Sequence, residues 1–251
     1  MPLSMERWVG KVAIVTGASV GIGAAIATRL VKEGLLVVGI ARRVKLIEEL
    51  ATRLTNEKGK LYALKCDVMK EEDILSVFKW VREHLSPVHI IINNAGIVEN
   101  TNLIDGDVKM WKNVLDTNIL GLCIGTREAV RDMVKNNVNG HVIHMNSVGG
   151  HRVPYFTFSN VYPGTKHAVT ALAETLRKEF SANKLDIKIT SISPGIVKTG
   201  IGNNCYNFEK QVSISPMLHV DDVVDAVMYA LSTGPNVLVE EIIIKPLHEP
   251  F

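Results

Sequence analysis

A tyrosine and a lysine stand four residues apart in the segment Tyr162-Pro163-Gly164-Thr165-Lys166, and Ser147 lies fifteen positions before the tyrosine. Side chains at positions i and i+4 of a helix lie on the same face. Because a neighbouring ammonium favours a phenolate, Lys166 is expected to lower the pKa of Tyr162 from its usual value of about 10. Tyr162 is then predicted to exchange a proton with a substrate oxygen, and Ser147 to hydrogen-bond the same oxygen.

A second group of residues has the composition of a phosphate-binding loop. The segment Thr16-Gly17-Ala18-Ser19-Val20-Gly21-Ile22-Gly23 follows a predicted strand and opens a predicted helix. Glycines permit a tight turn and let backbone N–H groups approach a pyrophosphate, and the helix N-terminus adds a favourable field for that anion. This context predicts a dinucleotide site. The alternative is a glycine turn that only joins a strand to a helix.

The elements that must position these groups follow from the hydrophobic pattern. Strands are predicted over 11–16, 35–40, 61–66, 89–93, 141–146, 187–193 and 241–245, and helices over 21–33, 43–57, 71–84, 108–135, 162–183 and 220–231. Strands that alternate with helices predict an α/β fold, with a doubly wound parallel sheet of about seven strands and helices on both faces. The length fits a single domain over 1–251.

The two groups of residues, in this order, resemble the short-chain dehydrogenase/reductase family, and the resemblance extends over almost the whole chain. Other matching motifs are Asp67-Val68 after the third strand, Asn93-Asn94-Ala95-Gly96 after the fourth, Asn118 in the long helix and Pro194-Gly195 after the sixth strand. The resemblance implies a Rossmann-type sheet, adenine binding at Asp67-Val68, a bond from Lys166 to the nicotinamide ribose and a water chain supported by Asn118.

These arguments give two sets of site residues. The predicted catalytic residues are Asn118, Ser147, Tyr162 and Lys166. The predicted cofactor-binding residues are Gly17, Ser19, Gly21, Ile22, Gly23, Arg42, Arg43, Asp67, Val68, Asn94, Ala95, Gly96, Tyr162, Lys166, Pro194, Gly195, Val197 and Thr199. Taken singly, each has a structural alternative, since a tyrosine on a helix usually packs and a serine after a strand usually makes a turn.

The end of the second strand indicates which cofactor is bound. An NAD site usually has Asp or Glu there to bind the ribose 2′-hydroxyl, but this chain has Ala41 followed by Arg42 and Arg43. A guanidinium attracts a 2′-phosphate and bonds it bidentately. We therefore predict NADP(H), with Arg42 as the main contact and Ser19 assisting. Some NADP-dependent family members carry a basic residue where this chain has Val20, and the two arginines have the alternative of a solvated helix start.

Two aperiodic stretches, 149–161 and 197–217, are predicted to be the substrate loops. They contain the apolar residues Val153, Pro154, Tyr155, Phe156, Phe158, Ile201, Tyr206, Phe208 and Met217. Such a lining favours an apolar alcohol or carbonyl over a sugar or a carboxylate, unless these side chains only pack the loops. The segments Met5-Glu6-Arg7-Trp8 and 146–153 resemble a subgroup that includes insect farnesol dehydrogenases and a reductase of keto-steroids. The resemblance implies farnesol or a similar isoprenoid alcohol, or a keto-steroid or broad-specificity carbonyl reductase.

Composition excludes several other classes of protein. The net charge is +2 and the basic residues are dispersed, so no nucleic-acid surface is expected. The apolar runs are too short to span a membrane, and the beginning of the chain lacks a secretory pattern. Three widely spaced cysteines predict no metal site and no disulfide framework. A cytoplasmic protein is expected, and family resemblance implies a homodimer or homotetramer.

Three histidines and one apolar run have structural interpretations. His141 and His144 lack ligand-spaced partners and are interpreted as structural or polar surface groups, and the Ile242-Ile243-Ile244 run as a buried strand. His151 lies near Ser147 and has either a role in shaping its loop or a contact with substrate. A non-catalytic protein that binds NADP(H) or a lipid is the alternative from another class, although such a role does not need Asn118, Ser147, Tyr162 and Lys166 together.

Overall fold

In a computed structural model, which describes residues 3–154, 159–201 and 216–249, seven parallel strands form one sheet in the order β3-β2-β1-β4-β5-β6-β7. The strands are β1 Val12–Thr16, β2 Leu36–Ala41, β3 Lys60–Lys65, β4 Val88–Asn93, β5 His141–Met145, β6 Lys188–Pro194 and β7 Glu241–Ile244. The predicted sheet is confirmed, with strand ends within two residues of those expected.

Helices cover both faces of the sheet. They are α1 Gly21–Lys32, α2 Val44–Arg53, α3 Glu71–His84, α4 Val108–Leu115, α5 Leu122–Lys135, α6 Tyr162–Ala182 and α7 Val220–Ser232. Short 3₁₀ turns occupy Glu6–Trp8 and Val148–Gly150. The helices α1, α2 and α7 pack on one face, and α3, α5 and α6 pack on the other.

The alternation of side chains along β1 explains the two cores. Ala13 and Val15 belong to the core under α1 and α7, whereas Val12 and Ile14 belong to the core under α3 and α5. All four are fully buried. A strand buried on both faces reads as a continuous apolar run, which is the pattern from which the strands were predicted.

The strand order places a crevice between β1 and β4. β1 pairs with β2 on one side and with β4 on the other, so the chain must cross over β1 when it passes from β3 to β4. Ligands of open α/β sheets bind outside the carboxyl ends of the strands at this switch point. The glycine segment after β1 and the Asn94-Ala95-Gly96 segment after β4 meet there.

Two interpretations of buried groups need correction. His141 and His144 are both buried within β5, so the surface alternative is wrong and the structural one holds; burial lowers the pKa of each to about 3. Ile243 is 52% exposed, so the Ile242–Ile244 run is a strand but not a buried one. The reason is that β7 lies at the edge of the sheet, where one side has no neighbouring strand.

Candidate active site

The glycine segment turns sharply between β1 and α1. Gly17 and Gly21 have φ angles of 67° and 58°, a left-handed conformation that other residues adopt only with strain. The side-chain amide of Asn94 donates to the carbonyl oxygen of Thr16 at 2.9 Å and to that of Gly17 at 3.4 Å. The carboxyl ends of β1 and β4 are thereby joined beside the crevice.

Thr16 is a site residue that the sequence reasoning missed. Its hydroxyl oxygen accepts hydrogen bonds from the backbone N–H of Asn94 at 2.9 Å and of Ala95 at 2.8 Å. The signal in the sequence was its place as the last residue of β1, directly before Gly17. Thr16 therefore shapes the segment after β4 rather than the glycine turn itself.

Gly23 packs closely against Asn94 and Gly17. A methyl group there would overlap the Asn94 amide nitrogen and the Gly17 carbonyl oxygen. We expect Gly23→Ala to destabilise the protein by about 1–3 kcal/mol, as overpacking does, and to weaken binding of NADPH. Urea denaturation and NADPH fluorescence measure the two effects.

Gly164 is the matched control because it also lies in a helix, and a methyl group there meets nothing within 4 Å. Gly164→Ala should stabilise the protein by up to about 1 kcal/mol through helix propensity. Equal effects of the two substitutions would contradict the packing described for Gly23.

The first turn of α1 fits an anion. It contains no acidic residue, and no side chain caps its N–H groups, which leaves those donors and the helix dipole free for a phosphate. A methyl group at Gly21 would lie 3.6 Å from the Thr199 side chain. The structure thus brings Thr199, predicted from the distant segment after β6, to the same loop as Ser19, Ile22 and Gly23.

Basic side chains surround the end of β2. Arg42 lines a cavity of about 460 Å³ together with Lys65, Lys70, Asp67 and Asp73. The Arg43 guanidinium donates to the Ser19 hydroxyl at 3.4 Å. The contact with the glycine loop therefore comes from Arg43, whereas Arg42 faces the predicted adenine-binding residue. Lys65 and Lys70 were not predicted, because nothing in the spacing links β3 to the end of β2.

The segment after β3 is held in a fixed conformation. The Asp73 carboxylate accepts from the Asp67 backbone N–H at 2.8 Å, and the Asp67 carboxylate accepts from the N–H of Met69 at 3.2 Å. Val68 lies against the helical region beyond β4, since a methyl group at Gly121 would meet its carbonyl oxygen at 2.6 Å. Asp67 thus lies in the cavity beside Arg42 and Val68 next to Gly121, while their binding of an adenine ring stays a prediction.

Ser147, Tyr162 and Lys166 lie together at the other end of the crevice. The Ser147 hydroxyl lies next to Tyr162, since a methyl group at Gly149 would be 3.4 Å from Ser147 Oγ and 3.7 Å from the Tyr162 ring. The Ser147 oxygen accepts from the Gly149 N–H at 3.0 Å. The Lys166 ammonium lies 5.7 Å from the centre of the Tyr162 ring and donates to the Met145 carbonyl at 2.8 Å. Tyr162 and Lys166 share one face of α6, as their spacing predicted.

The prediction that Lys166 lowers the pKa of Tyr162 is wrong for the protein without a bound ligand. Burial raises the pKa of the Tyr162 hydroxyl, and the hydrogen bond from Ser147 only partly offsets it. The ammonium lies over the ring and bonds a backbone carbonyl instead of the phenolic oxygen. Tyr162 is consequently a neutral phenol at pH 7, which makes it a proton donor.

Lys166 itself is only 6% exposed, and burial lowers its pKa to about 8 from 10.5. Between those two values the unfolded chain binds a proton that the folded protein lacks, so stability rises with pH across this window. Relative to Lys166→Met, the wild-type free energy of unfolding should therefore increase by up to about 3 kcal/mol from pH 8 to 10.5. Urea denaturation at several pH values checks this, and stability curves that stay parallel would contradict it.

Asn118 lies in a π-helical segment, Asp116–Gly121, that interrupts the predicted long helix between α4 and α5. Such segments often occur at functional sites. The side-chain oxygen Oδ1 of Asn118 accepts from the Ile97 N–H at 2.9 Å. Its side-chain nitrogen Nδ2 donates to the Ile97 carbonyl and to the Thr165 hydroxyl. A methyl group at Gly96 would lie 3.5 Å from Asn118 Oδ1 and 3.9 Å from Lys166 Nζ, so these residues share one end of the crevice.

The turn after β6 packs against a residue that the sequence reasoning missed. The Glu249 carboxylate occupies the space where a Cβ of Gly195 would lie, and it accepts from the Ile196 N–H at 3.3 Å. A side chain at position 195 would displace this carboxylate. Because β6 is parallel to β1 and β4 and ends at Pro194, Pro194 and Gly195 lie at the same edge of the sheet as the ends of those strands, where cofactor contacts were predicted.

The substrate loops are described in part. Residues 155–158 and 202–215 lie outside the described residues, and with them Tyr155, Phe156, Phe158, Tyr206 and Phe208. Val197 pairs with Leu218, and the Lys198 N–H donates to the Leu218 carbonyl at 2.9 Å. Both ends of the second loop are thereby fixed next to the turn after β6.

The described ranges lack two kinds of feature. Residues 3–154, 159–201 and 216–249 contain no group of three His, Cys, Asp or Glu side chains arranged to hold a metal ion. In the same part of the chain, no helix combines the length and apolar character needed to cross a membrane.

Comparison with known proteins agrees with this geometry. The short chain dehydrogenase family model matches residues 11–210. A farnesol dehydrogenase of Aedes aegypti is 49% identical over 249 residues, which cover 98% of this chain and 100% of that protein. Dehydrogenase/reductase SDR family member 11 of Mus musculus is 44% identical, over 98% of this chain and 97% of its own length.

A solved structure has the same architecture. The alcohol dehydrogenase from the archaeon Thermococcus sibiricus, complexed with 5-hydroxy-NADP, is 27% identical and matches with a TM-score of 0.84, covering 95% of this chain and 97% of its own. The family model thus matches most of a chain that has a glycine turn after β1, a Tyr-x-x-x-Lys helix and a serine beside that helix. The protein belongs to the short-chain dehydrogenase family.

Proposed function

We propose that this protein is an NADP(H)-dependent oxidoreductase that interconverts an apolar alcohol and its carbonyl compound. The observation that carries the proposal is the proximity of the Ser147 hydroxyl to Tyr162, with the buried Lys166 ammonium beside the Tyr162 ring. When bound, NADP(H) supplies or accepts the hydride at its nicotinamide ring. The chain itself has to hold the substrate oxygen and move a proton.

Tyr162 and Ser147 have separate roles in this proposal. The neutral Tyr162 hydroxyl donates its proton to the carbonyl oxygen during reduction and recovers one in the reverse direction. Ser147 hydrogen-bonds the same oxygen and fixes its distance from the Tyr162 hydroxyl. The Gly149 N–H holds the Ser147 oxygen in place at 3.0 Å, so the pair does not need to reorganise when the substrate arrives.

Lys166 and Asn118 support the proton transfer. Lys166 is buried, and with its pKa near 8 it remains mostly charged at pH 7, which stabilises a phenolate once Tyr162 has lost its proton. Asn118 lies near Lys166 and holds the backbone of Ile97 through both its amide atoms. We propose that it also supports the waters that return the proton to solvent.

Preference for NADP(H) over NAD(H) is supported by the charge at the end of β2. Ala41 stands where an acidic residue would select NAD, Arg42 and Arg43 follow it, and Arg42 shares its cavity with Lys65 and Lys70. The family structure with 27% identity holds an NADP derivative. Three cations and the two carboxylates of Asp67 and Asp73 line this cavity, and the remaining positive charge favours the additional 2′-phosphate.

Farnesol, or a similar isoprenoid alcohol, is the proposed substrate. The Aedes aegypti relative is a farnesol dehydrogenase with 49% identity along its full length. In the described parts of the two substrate loops, Val153, Ile201 and Met217 are exposed by 70%, 47% and 39%. Exposed apolar side chains at the mouth of a site suit an apolar chain.

A keto-steroid or broad-specificity carbonyl reductase is the second candidate. The observation that favours it is the raised pKa of Tyr162, because a neutral phenol is ready to protonate a carbonyl oxygen without prior loss of a proton. A protein that only binds NADP(H) or a lipid is the third candidate. The presence of Asn118, Ser147, Tyr162 and Lys166 in one chain argues against it, since a pure binding role does not need all four together.

We also propose that the described elements belong to one domain over 1–251, that the protein is a homodimer or homotetramer, and that it is cytoplasmic. Leu115 and Leu120, on the exposed side of the α4–α5 region, are 43% and 50% exposed, which supports contact with a second copy. Cys66 and Cys123 carry free thiols, which suits a reducing compartment.

The test is a set of parallel assays with purified protein, in which NADP⁺ and NAD⁺ are each combined with farnesol, and NADPH and NADH with a keto-steroid and a small aromatic ketone. Farnesol oxidation that requires NADP⁺ supports the first candidate. Activity confined to the ketones favours the carbonyl reductase. Binding of NADPH without turnover of any compound would favour the binding protein.

A further inference from the structure

His151 makes contacts that the proposed reaction does not use. Its Nε2 atom lies 3.1 Å from the Ser193 hydroxyl oxygen and 2.9 Å from Glu241 Oε1. The Ser193 hydroxyl in turn donates to Glu241 Oε1 at 2.9 Å. The three side chains, from a loop and two strands, therefore form a closed hydrogen-bonded group, which we name the 151–193–241 brace.

The chemistry of these groups fixes where the proton of the imidazole must be. A carboxylate accepts hydrogen bonds and donates none, and the Ser193 hydroxyl already donates its proton to Glu241. His151 Nε2 can approach both oxygens at hydrogen-bond distance only if it carries a hydrogen. The ring therefore acts as a donor from Nε2, and it faces the sheet instead of the substrate crevice.

The brace connects two segments of the candidate active site. Ser193 is fully buried in β6 and comes directly before Pro194 and Gly195. His151 follows the 3₁₀ turn Val148–Gly150, whose backbone starts at Ser147: the Gly150 N–H donates to the Ser147 carbonyl at 2.8 Å, and the His151 N–H donates to the Val148 carbonyl at 3.0 Å. The imidazole thus anchors the end of this turn to β6 and β7.

The anchored turn carries part of the reaction site. A methyl group at Gly149 would lie 3.4 Å from Ser147 Oγ, 3.7 Å from the Tyr162 ring and 3.8 Å from Pro154. The Gly149 N–H also orients the Ser147 hydroxyl. Any shift of the turn therefore moves Ser147 relative to Tyr162 and changes the space next to both hydroxyls.

We propose that the 151–193–241 brace holds the Ser147 hydroxyl and the turn Val148–Gly150 in the reactive arrangement, so that His151 and Glu241 are positioning residues for the substrate. The inference rests on the proposed function, because it assigns a role in that same site. Neither side chain needs to touch substrate or cofactor. Loss of the brace should lower kcat/KM for the substrate and leave NADPH binding unchanged.

The experiment compares His151→Leu, which removes the donor, with His151→Gln, whose amide N–H can replace Nε2–H. For the leucine variant we expect kcat/KM to fall by about 10- to 100-fold, as a small misplacement of a reacting group does. The dissociation constant of NADPH should stay within about twofold of the wild-type value. A tenfold change would correspond to about 1.4 kcal/mol. The glutamine variant should recover most of the activity.

Coupling and backbone exchange separate the brace from a general loss of stability. Glu241→Met should lower kcat/KM about as much as His151→Leu does. The double variant should lower it little further, because both substitutions disrupt the same hydrogen-bonded group. Amide hydrogen exchange at Gly150 and His151 should accelerate in the leucine variant and remain slow in the glutamine variant. Additive losses, equal losses in the leucine and glutamine variants, or a leucine variant with wild-type kinetics would overturn the proposal. A wild-type protein without turnover would refute the proposed function, and the exchange rates alone would then decide on the brace.

Discussion

Replacing Tyr162 with phenylalanine is expected to lower kcat by about 10²- to 10⁴-fold, the usual contribution of a positioned general acid or base. The substitution removes the hydroxyl that lies beside Ser147. The ring stays at the start of α6, so the packing around Lys166 is preserved. Rates of NADPH oxidation or formation, followed by absorbance, measure the loss.

Tyr229→Phe is a matched control for this result, since Tyr229 lies on α7 and is 49% exposed. It loses the same hydroxyl far from Ser147 and should keep wild-type turnover. The Tyr162→Phe protein should bind NADPH almost as well as the wild type, because only one hydroxyl beside the substrate is lost. Turnover that survives in Tyr162→Phe would remove this residue from the mechanism.

Replacing Arg42 with aspartate is expected to reverse the preference between NADPH and NADH. A hydrogen bond to a charged group is worth about 1.5–3 kcal/mol, so its loss alone should raise the KM for NADPH by roughly 10- to 100-fold. The new carboxylate would also repel the 2′-phosphate and would bond a ribose 2′-hydroxyl. The ratio of kcat/KM for the two cofactors, with one substrate, measures the change.

The control must reproduce the change of charge without touching the cavity. Arg82→Asp does so, because Arg82 is exposed near the end of α3 and does not line the cavity beside Arg42. Arg43→Asp shows whether the contact between Arg43 and Ser19 shares the selectivity. A cofactor ratio that is the same in Arg42→Asp and in Arg82→Asp would count against the NADP assignment.

The sheet could be predicted from the sequence because its strands are buried on both faces. In β1, every residue from Val12 to Thr16 is buried, and such runs differ sharply from the amphipathic helices between them. The glycine turn and the Tyr-x-x-x-Lys pair were also readable, since each depends on neighbours along the chain. The π-helical segment at Asn118 was not, and the Asn118 side chain bonds Ile97 and Thr165, which are distant in the sequence.

What sequence reasoning missed lies in contacts between distant segments. Glu249 fills the space above Gly195, and Glu241 meets His151 across ninety residues of chain; no local spacing signals either pair. The pKa of Tyr162 shows the same limit of local reasoning. Its neighbour on the helix predicts a lower pKa, whereas burial by the rest of the fold raises it.

Transfer of deuterium tests the central claim most directly. The purified protein would be mixed with farnesal and NADPH that carries two deuterium atoms at nicotinamide C4, and the farnesol formed would be analysed by mass spectrometry. The account predicts farnesol with one deuterium at C1, formed by the wild type and nearly absent with Tyr162→Phe. Farnesol without deuterium, or labelled farnesol formed equally fast by Tyr162→Phe, would contradict it.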